Sequence, residues 1–236
     1  MLNNNLLAVI ITFAVSLLWL RLNDFAAHRG WISSHLSRKI IHAGTGPLFV
    51  LCWILFNDDL LSRFLAALVP FAITLQFLLV GLGIIKDDSA VKAMSRTGDR
   101  REILKGPLFY GIVFVALTII YWKETPIGIV ALMLMCGGDA LADILGRRFG
   151  TSKIPWNNKK SWIGSLGMLL GGWTFSFLVL SFYVAIGVFS GPLSIYLLPI
   201  TLISLAGTVV ESFPLENIDN ITVTLVAIIL GHLLFT

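Results

Sequence analysis

The stretch Pro126-Ile127-Gly128-Ile129-Val130-Ala131-Leu132-Met133-Leu134-Met135-Cys136-Gly137-Gly138-Asp139-Ala140-Leu141-Ala142-Asp143-Ile144-Leu145-Gly146-Arg147-Arg148-Phe149-Gly150 passes from an apolar run into two aspartates and then two arginines. Asp139 and Asp143 are four residues apart, so on a helix they project from one face. Apolar runs of this kind recur along the chain, and they set its class. Of the 236 residues, 57% are apolar and 13% charged, whereas a soluble domain carries roughly 25% charged residues. Such a composition excludes an ordinary water-soluble globule, a disordered chain and a disulfide scaffold. Cys52 and Cys136 both lie inside apolar runs and read as reduced, buried thiols.

Eight apolar segments stand at about 5–20, 40–56, 61–85, 106–122, 126–145, 164–187, 192–211 and 220–235. Each is near the roughly 20 residues that a helix needs to cross a bilayer. The expected fold is all-α: a polytopic integral membrane helical bundle of about eight transmembrane helices, with residues 1–236 as a single domain. The first segment has neither a basic n-region nor an Ala-x-Ala site, so it is expected to be a retained span rather than a signal peptide. With eight spans, the loops 21–39, 86–105 and 146–163 share a side and hold 15 of the 17 basic residues, leaving Arg63 and Lys123 for the other. The positive-inside rule then puts both termini on the non-cytoplasmic side. The fourth inner connection, Glu211 to Asn220, carries three acids and no base. It places carboxylates on the same face as three basic loops, an arrangement suited to a metal ion and a polyphosphate. The net charge of +4 therefore reports topology. No basic stretch is interleaved with exposed aromatics, so no nucleic acid is expected as a partner, and nothing points to a protein partner. The longest polar stretch, Lys86 to Lys105, is expected to be a mobile or amphipathic surface segment.

Four motifs carry chemistry. An aspartate near the membrane centre costs about 2.5 to 3.5 kcal/mol on insertion scales, and two on one face repel unless something positive is present. Magnesium on Asp139 and Asp143 is one answer, since it typically takes one or two carboxylates and fills its octahedron with phosphate and water oxygens. An ion pair between Asp143 and Arg147, four residues on, is the competing reading for the second aspartate. In Lys153-Ile154-Pro155-Trp156-Asn157-Asn158-Lys159-Lys160-Ser161, the proline holds the loop open, and Ser161 can cap the following helix. That helix's first amides offer an anion site beside the lysines, though a plain cap is also possible. Gly167 and Gly171 read as helix-packing positions. Arg38, Lys39 and His42 can share one helical face before Gly44, Gly46 and Pro47, and a histidine in a span is a functional candidate or a helix-to-helix hydrogen-bonding group. Finally, Pro214 forces a bend that can bring Glu211 close to Asp219 and Asn220, where a carboxylate could bind metal, take a proton or cap a helix. The chain has no P-loop, protein-kinase motif set, G-x-S-x-G elbow or zinc spacing.

In this order the blocks resemble the phytol kinase branch of the membrane polyprenol kinases, a group similar in its site to dolichol kinase and more distantly to phosphatidate cytidylyltransferase. The resemblance runs from about Leu36 to Leu225. It rests on Arg38-Lys39-x-x-His42, Lys105-Gly106-Pro107-Leu108-Phe109-Tyr110, Met135 to Asp139, Gly146 to Gly150, Lys153-Ile154-Pro155, Lys160-Ser161-Trp162-x-Gly164-Ser165, and Glu211-Ser212 with Asp219-Asn220. It implies a CTP-dependent, magnesium-dependent kinase that phosphorylates phytol, giving phytyl phosphate for tocopherol and related prenyl-lipid synthesis. It also implies a multi-pass protein of a bacterial-type membrane, cyanobacteria included, or of the plastid envelope. Carried over by position, Asp139 and Asp143 belong to the metal and nucleotide site, Lys160 with Ser161 to phosphate binding, and Glu211 with Asp219 to the closing acidic segment. The wider nucleotide- and phosphate-binding set is Arg38, Lys39, Lys105, Arg147, Lys153, Lys160, Ser161 and Asn220. Asp139, Glu211, Asp219 and His42 are the catalytic candidates, and Glu211, Asp219 and His42 all stay open as the group that orients or deprotonates the alcohol. Two positions depart from the family pattern: Ala140 stands where glycine is frequent, and Ile218 stands where an aspartate is frequent.

Other readings use the same residues. Farnesol, geranylgeraniol or dolichol could replace phytol, and the same metal site could serve cytidylyl transfer to a lipid phosphate. Intramembrane aspartates also occur in ion-coupled transporters, although there the acids gather at the midplane between repeats.

Overall fold

The computed structural model describes residues 2–95, 97–215 and 218–235. The chain forms the helices α1 (Leu2–His28), α2 (Ser34–Cys52), α3 (Leu60–Leu82), α4 (Asp88–Met94), α5 (Gly106–Ile120), α6 (Pro126–Met133), α7 (Asp139–Phe149), α8 (Trp162–Ala185), α9 (Ser194–Glu211) and α10 (Asp219–Leu234). Helix boundaries follow local chemistry. The side chains of Ser33, Asp59 and Ser161 cap α2, α3 and α8 by accepting from Leu36, Ser62 and Gly164 amides. Gly83, at φ 80°, ends α3 in the left-handed region.

Among the described residues, six helices are long and apolar enough to cross a membrane: Asn4–His28, Leu60–Leu82, Arg100–Ile120, Pro126–Phe149, Trp162–Ala185 and Ser194–Glu211. The second and eighth apolar segments of the sequence fall in shorter helices, Lys39–Leu55 and Asp219–Leu234. The outward surfaces match a lipid environment. On α1 the buried positions include Asn5, Thr12, Ser16 and Asn23, while Leu6, Leu7, Ile10, Leu17, Leu18 and Leu22 face outward. The inward polar groups are paired: Asn5 Oδ1 accepts from the Asn57 amide at 2.9 Å and from the Ser62 hydroxyl at 3.1 Å. Polar inside and apolar outside is the reverse of a soluble helix, and it lets hydrogen bonds hold helices together where lipid provides no hydrophobic drive.

The axis of the bundle is the continuous rod from Pro126 to Phe149. In its most apolar window 78% of the residues are buried, against 22% to 50% in the other five long helices. The rod joins α6 to α7 through a wider π turn, Leu134–Gly138, directly before Asp139. Such turns insert a residue and rotate the next stretch of helix about its axis. Helix α8 packs along α7 and the π turn, α2 also packs on both, and α10 lies against α6 and α9. The approach of α8 is backbone to backbone. A Cβ on Gly171 would stand 2.2 Å from the Gly137 carbonyl oxygen, and one on Gly167 would stand 2.7 Å from that of Leu141. Both glycines are thus packing positions, as their spacing suggested.

One local feature differs from the sequence reading, and another selects between its two alternatives. The loop around Pro155 folds into a small antiparallel hairpin of β1 (Lys153–Ile154) and β2 (Asn157–Ser161), the one departure from an all-α architecture among the described residues. Buried Ile154 and Asn157 anchor it. The polar stretch from Lys86 to Lys105, whose Arg96 lies outside the described residues, is folded rather than loose. Asp87 caps α4, Ile103 is fully buried, and the Arg100 guanidinium covers Gly83.

Gly171→Ala and Gly167→Ala each drive a methyl into a main-chain carbonyl and are expected to lower stability by about 1 to 3 kcal/mol. The thermal midpoint of the detergent-solubilised protein reads this. Leu198→Ala, on an outward face, is expected to stay within about 0.5 kcal/mol of the wild type.

Candidate active site

Acids from three separate segments meet at one end of the bundle. Asp139 opens α7, Glu211 closes α9 and Asp219 begins α10. These three, with Asn220, line a narrow recess whose remaining wall is Met135, Met168 and Val223. The turn after Glu211 therefore does bring it to the same site as Asp219 and Asn220, as the position of Pro214 suggested. Asn220 donates from Nδ2 to the Gly106 carbonyl at 3.5 Å, linking this turn to the start of α5.

Asp139 and Glu211 are met by bases from elsewhere in the chain, and Asp143 by one distant and one local base. Lys39 Nζ, on α2, lies 3.1 Å from Asp139 Oδ2 and 3.8 Å from Asp143 Oδ2, so a single ammonium bridges both aspartates. His42 Nε2, one turn farther along α2, lies 3.3 Å from the same Asp139 oxygen. Arg147 Nε donates to Asp143 Oδ1 at 2.8 Å, the local pair anticipated from the spacing. Lys160, near the end of β2, donates to Glu211, whose carboxylate is 5% exposed. Burial acts to discharge Lys160, but the charge of Glu211, the hydrogen bond between them, and the more distant Asp139 and Asp219 outweigh it. The ammonium is held above the ordinary lysine value and stays fully charged at neutral pH.

Secondary structure positions the Lys160 and Glu211 pair. Ser161 Oγ accepts from the Gly164 amide at 3.2 Å, so Ser161 is the cap of α8. At the other end of the hairpin, Trp156 Nε1 donates to Ser212 Oγ at 3.1 Å and Asn157 Nδ2 donates to the Ser212 carbonyl at 3.1 Å. The hairpin is thereby fastened to the residue directly after Glu211. Trp156, Asn157 and Ser212 were not singled out from the sequence, because a lone tryptophan and asparagine in a polar loop carry no spacing signal. Tyr110 was also missed as a site residue. Its ring packs on that of His42, with centroids 4.3 Å apart.

The structure does not draw every candidate into this cluster. Lys105 and Lys153 are exposed, and neither forms an ion pair among the described residues. Lys153 is paired in register with Ser161, and Lys105 precedes the Gly106 carbonyl that receives Asn220. The side chain of Arg38 lies outside the described residues. Among those described, no three His, Cys, Asp or Glu side chains form a metal cage. The donor set nevertheless fits a hard cation shared with phosphate oxygens, which needs one or two carboxylates from the protein. Asp139 and Asp143, bridged by one ammonium, present such a pair.

No family model and no solved structure matches the chain. Among curated proteins it is similar to "Probable phytol kinase, chloroplastic" of Triticum aestivum, at 42% identity over 214 residues, 90% of this chain and 71% of that protein. It is also similar to two proteins of Arabidopsis thaliana. Farnesol kinase, chloroplastic, is 41% identical over 88% of this chain and 68% of its own length. Phytol kinase 1, chloroplastic, is 40% identical over 88% of this chain and 69% of its own length. Identity of this order, carried across more than two thirds of each relative, means that the chain belongs to the phytol and farnesol kinase family.

Proposed function

We propose that this chain is a magnesium-dependent kinase that transfers the γ-phosphoryl group of CTP to phytol, giving phytyl phosphate and CDP. We place it in a chloroplast or related photosynthetic membrane, with residues 1–236 acting as one catalytic unit. The observation that carries this reading is the recess itself, where charged and apolar side chains meet. It is lined by Asp139, Glu211, Asp219 and Asn220 together with Met135, Met168 and Val223, with Met135 one helical turn from Asp139 and Val223 one turn from Asp219. Such a site suits a hydroxyl on a long apolar tail, with the tail left among the helices. The similarity to kinases of two isoprenoid alcohols supports the same substrate class.

Phosphoryl transfer depends chiefly on alignment and on neutralising charge. Lys160 and Lys39 stand beside the recess and are assigned to the phosphates, with Arg147 flanking them. Arg38, Lys105 and Lys153 are assigned to drawing the nucleotide to this face, and Ser161 to presenting the first amides of α8. Asp139 and Asp143 would hold magnesium, which when bound neutralises and orients phosphate oxygens. Glu211 keeps Lys160 in place. Asp219, on the recess wall, is assigned to accept the alcohol proton; His42 contacts Asp139 and is not part of that wall. Farnesol is the second reading, supported by the nearly equal identity to the farnesol kinase.

The decisive test incubates reconstituted protein with each γ-labelled nucleotide against phytol, farnesol, geranylgeraniol and dolichol. Label on phytyl phosphate with CTP is the expected result. Label on farnesol alone moves the assignment to farnesol kinase, and pyrophosphate release with CMP on the lipid would indicate cytidylyl transfer.

In the same assay, Asp139→Asn is expected to lower kcat at least 100-fold at limiting magnesium. Full activity there would remove Asp139 from the metal site. Asp219→Asn is expected to lower kcat at little cost in nucleotide KM, and Glu211→Gln, by releasing Lys160, to raise that KM about tenfold or more.

We also propose eight spans with both termini on the non-cytoplasmic side, the two shorter helices α2 and α10 crossing as well. Single cysteines at Asp58 and Lys159, in a background without Cys52 and Cys136, are then expected to react with an impermeant maleimide from opposite faces of sealed vesicles. Labelling from the same face would exclude this topology.

A further inference from the structure

Tyr110 has no part in the phosphoryl transfer itself, yet its side chain ties together the segments that hold Asp139. Its hydroxyl donates to the main-chain carbonyl of His42 at 3.2 Å and lies 3.1 Å from Cys136 Sγ. With the phenol proton given to the carbonyl, the Cys136 thiol can donate to the phenol oxygen. Cys136 sits in the π turn three residues before Asp139. Gly46, one turn beyond His42, is pressed on the same thiol: a Cβ there would stand 2.2 Å from Cys136 Sγ. One phenol therefore spans α2, α5 and the π turn, while its ring packs at 36° against the imidazole.

The contacts of Asp139 show what this arrangement controls. Lys39 donates to Oδ2 at 3.1 Å, and His42 Nε2 stands 3.3 Å from the same oxygen without an aligned hydrogen bond. The two side chains of α2 thus grip one oxygen of a carboxylate that also lines the recess. The imidazole can hold its half of this grip only while its ring is kept from turning. Lys39 is a flexible chain that cannot do that alone.

We propose that Tyr110 is a positioning residue: it fixes the His42 ring against Asp139 and so sets how the Asp139 carboxylate faces the recess. The proposal rests on the kinase reading. Tyr110→Phe keeps the ring and removes the hydroxyl. In reconstituted full-length chain its kcat is expected to fall about tenfold, within the roughly 100-fold that a misplacement of about 1 Å can cost. The KM values for nucleotide and alcohol are expected to change less than about threefold. His42→Ala is expected to lose more. The double variant is expected to be no slower than His42→Ala alone, because the phenol acts through the imidazole.

Wild-type kcat in Tyr110→Phe, or losses that multiply in the double variant, would overturn the proposal. Should Tyr110→Phe fail to fold, Cys136→Ala enters the same cycle in its place, with the same non-additivity expected and the same multiplication overturning it. A readout independent of turnover is the imidazole resonance of His42, assigned by its loss in His42→Ala. A shift in Tyr110→Phe supports the proposal and an unmoved resonance overturns it. Wild-type protein that phosphorylates no isoprenoid alcohol, while the resonance still shifts, refutes the kinase reading and leaves the Tyr110 contact standing.

Discussion

The rest of the structure depends on keeping charged carboxylates inside an apolar bundle. An aspartate within a span costs several kilocalories per mole unless it is paired or hydrogen-bonded. Here the partners of Asp139 and Glu211 come from distant parts of the chain. Lys39 and His42 reach Asp139 from α2, and Lys160 reaches Glu211 from the hairpin. Arg147 alone is local, one turn from Asp143. Because these pairs join α2, α7, the hairpin and α9 at one end, the same contacts that make the acids tolerable also bring them together. Stability and site assembly are one problem in this molecule.

Packing solves the other half of that problem. The central rod can sit deep in the bundle because α8 lies on it through glycines, with main-chain atoms in contact where side chains would otherwise hold the helices apart. Close approach along α8 also carries its capped start, at Ser161, to the level of α7. Lys160 is the residue just before that cap, so the position of a cationic side chain in the site derives from a seam of small residues farther along α8. The π turn acts in the same direction, since it alters the facing of every residue on α7.

Charge compensation also leaves cationic side chains beside the recess. The lysines that neutralise acids in this structure are flexible cations able to exchange a carboxylate for a phosphate. The methionines that share its lining, Met135 and Met168, are unbranched and adaptable. The recess therefore combines charged and pliable apolar side chains in one place.

Much was legible in the sequence because it is written in composition and local spacing. The membrane class derives from how few residues are charged, the shared face of Asp139 and Asp143 from a four-residue interval, and the packing glycines from theirs. The Arg147 pair and the Ser161 cap are also local, and they stand as the spacing allowed. The partners of Asp139 and Glu211 were not legible, since no periodicity links residue 39 to residue 139 or residue 160 to residue 211. The roles of Tyr110, Trp156, Asn157 and Ser212 were hidden for the same reason: each acts through a single contact across the bundle. The polar stretch after α3 was legible only as mobile or amphipathic, because charge density reports solvation and not the few anchors, buried Ile103 and the Arg100 contact, that order a segment. By itself the sequence determined that this is an apolar helical chain with acids and bases gathered toward one face. Tertiary structure decided which acid meets which base and which residues line the recess, because such pairings arise only when helices distant in the chain are packed against a common axis.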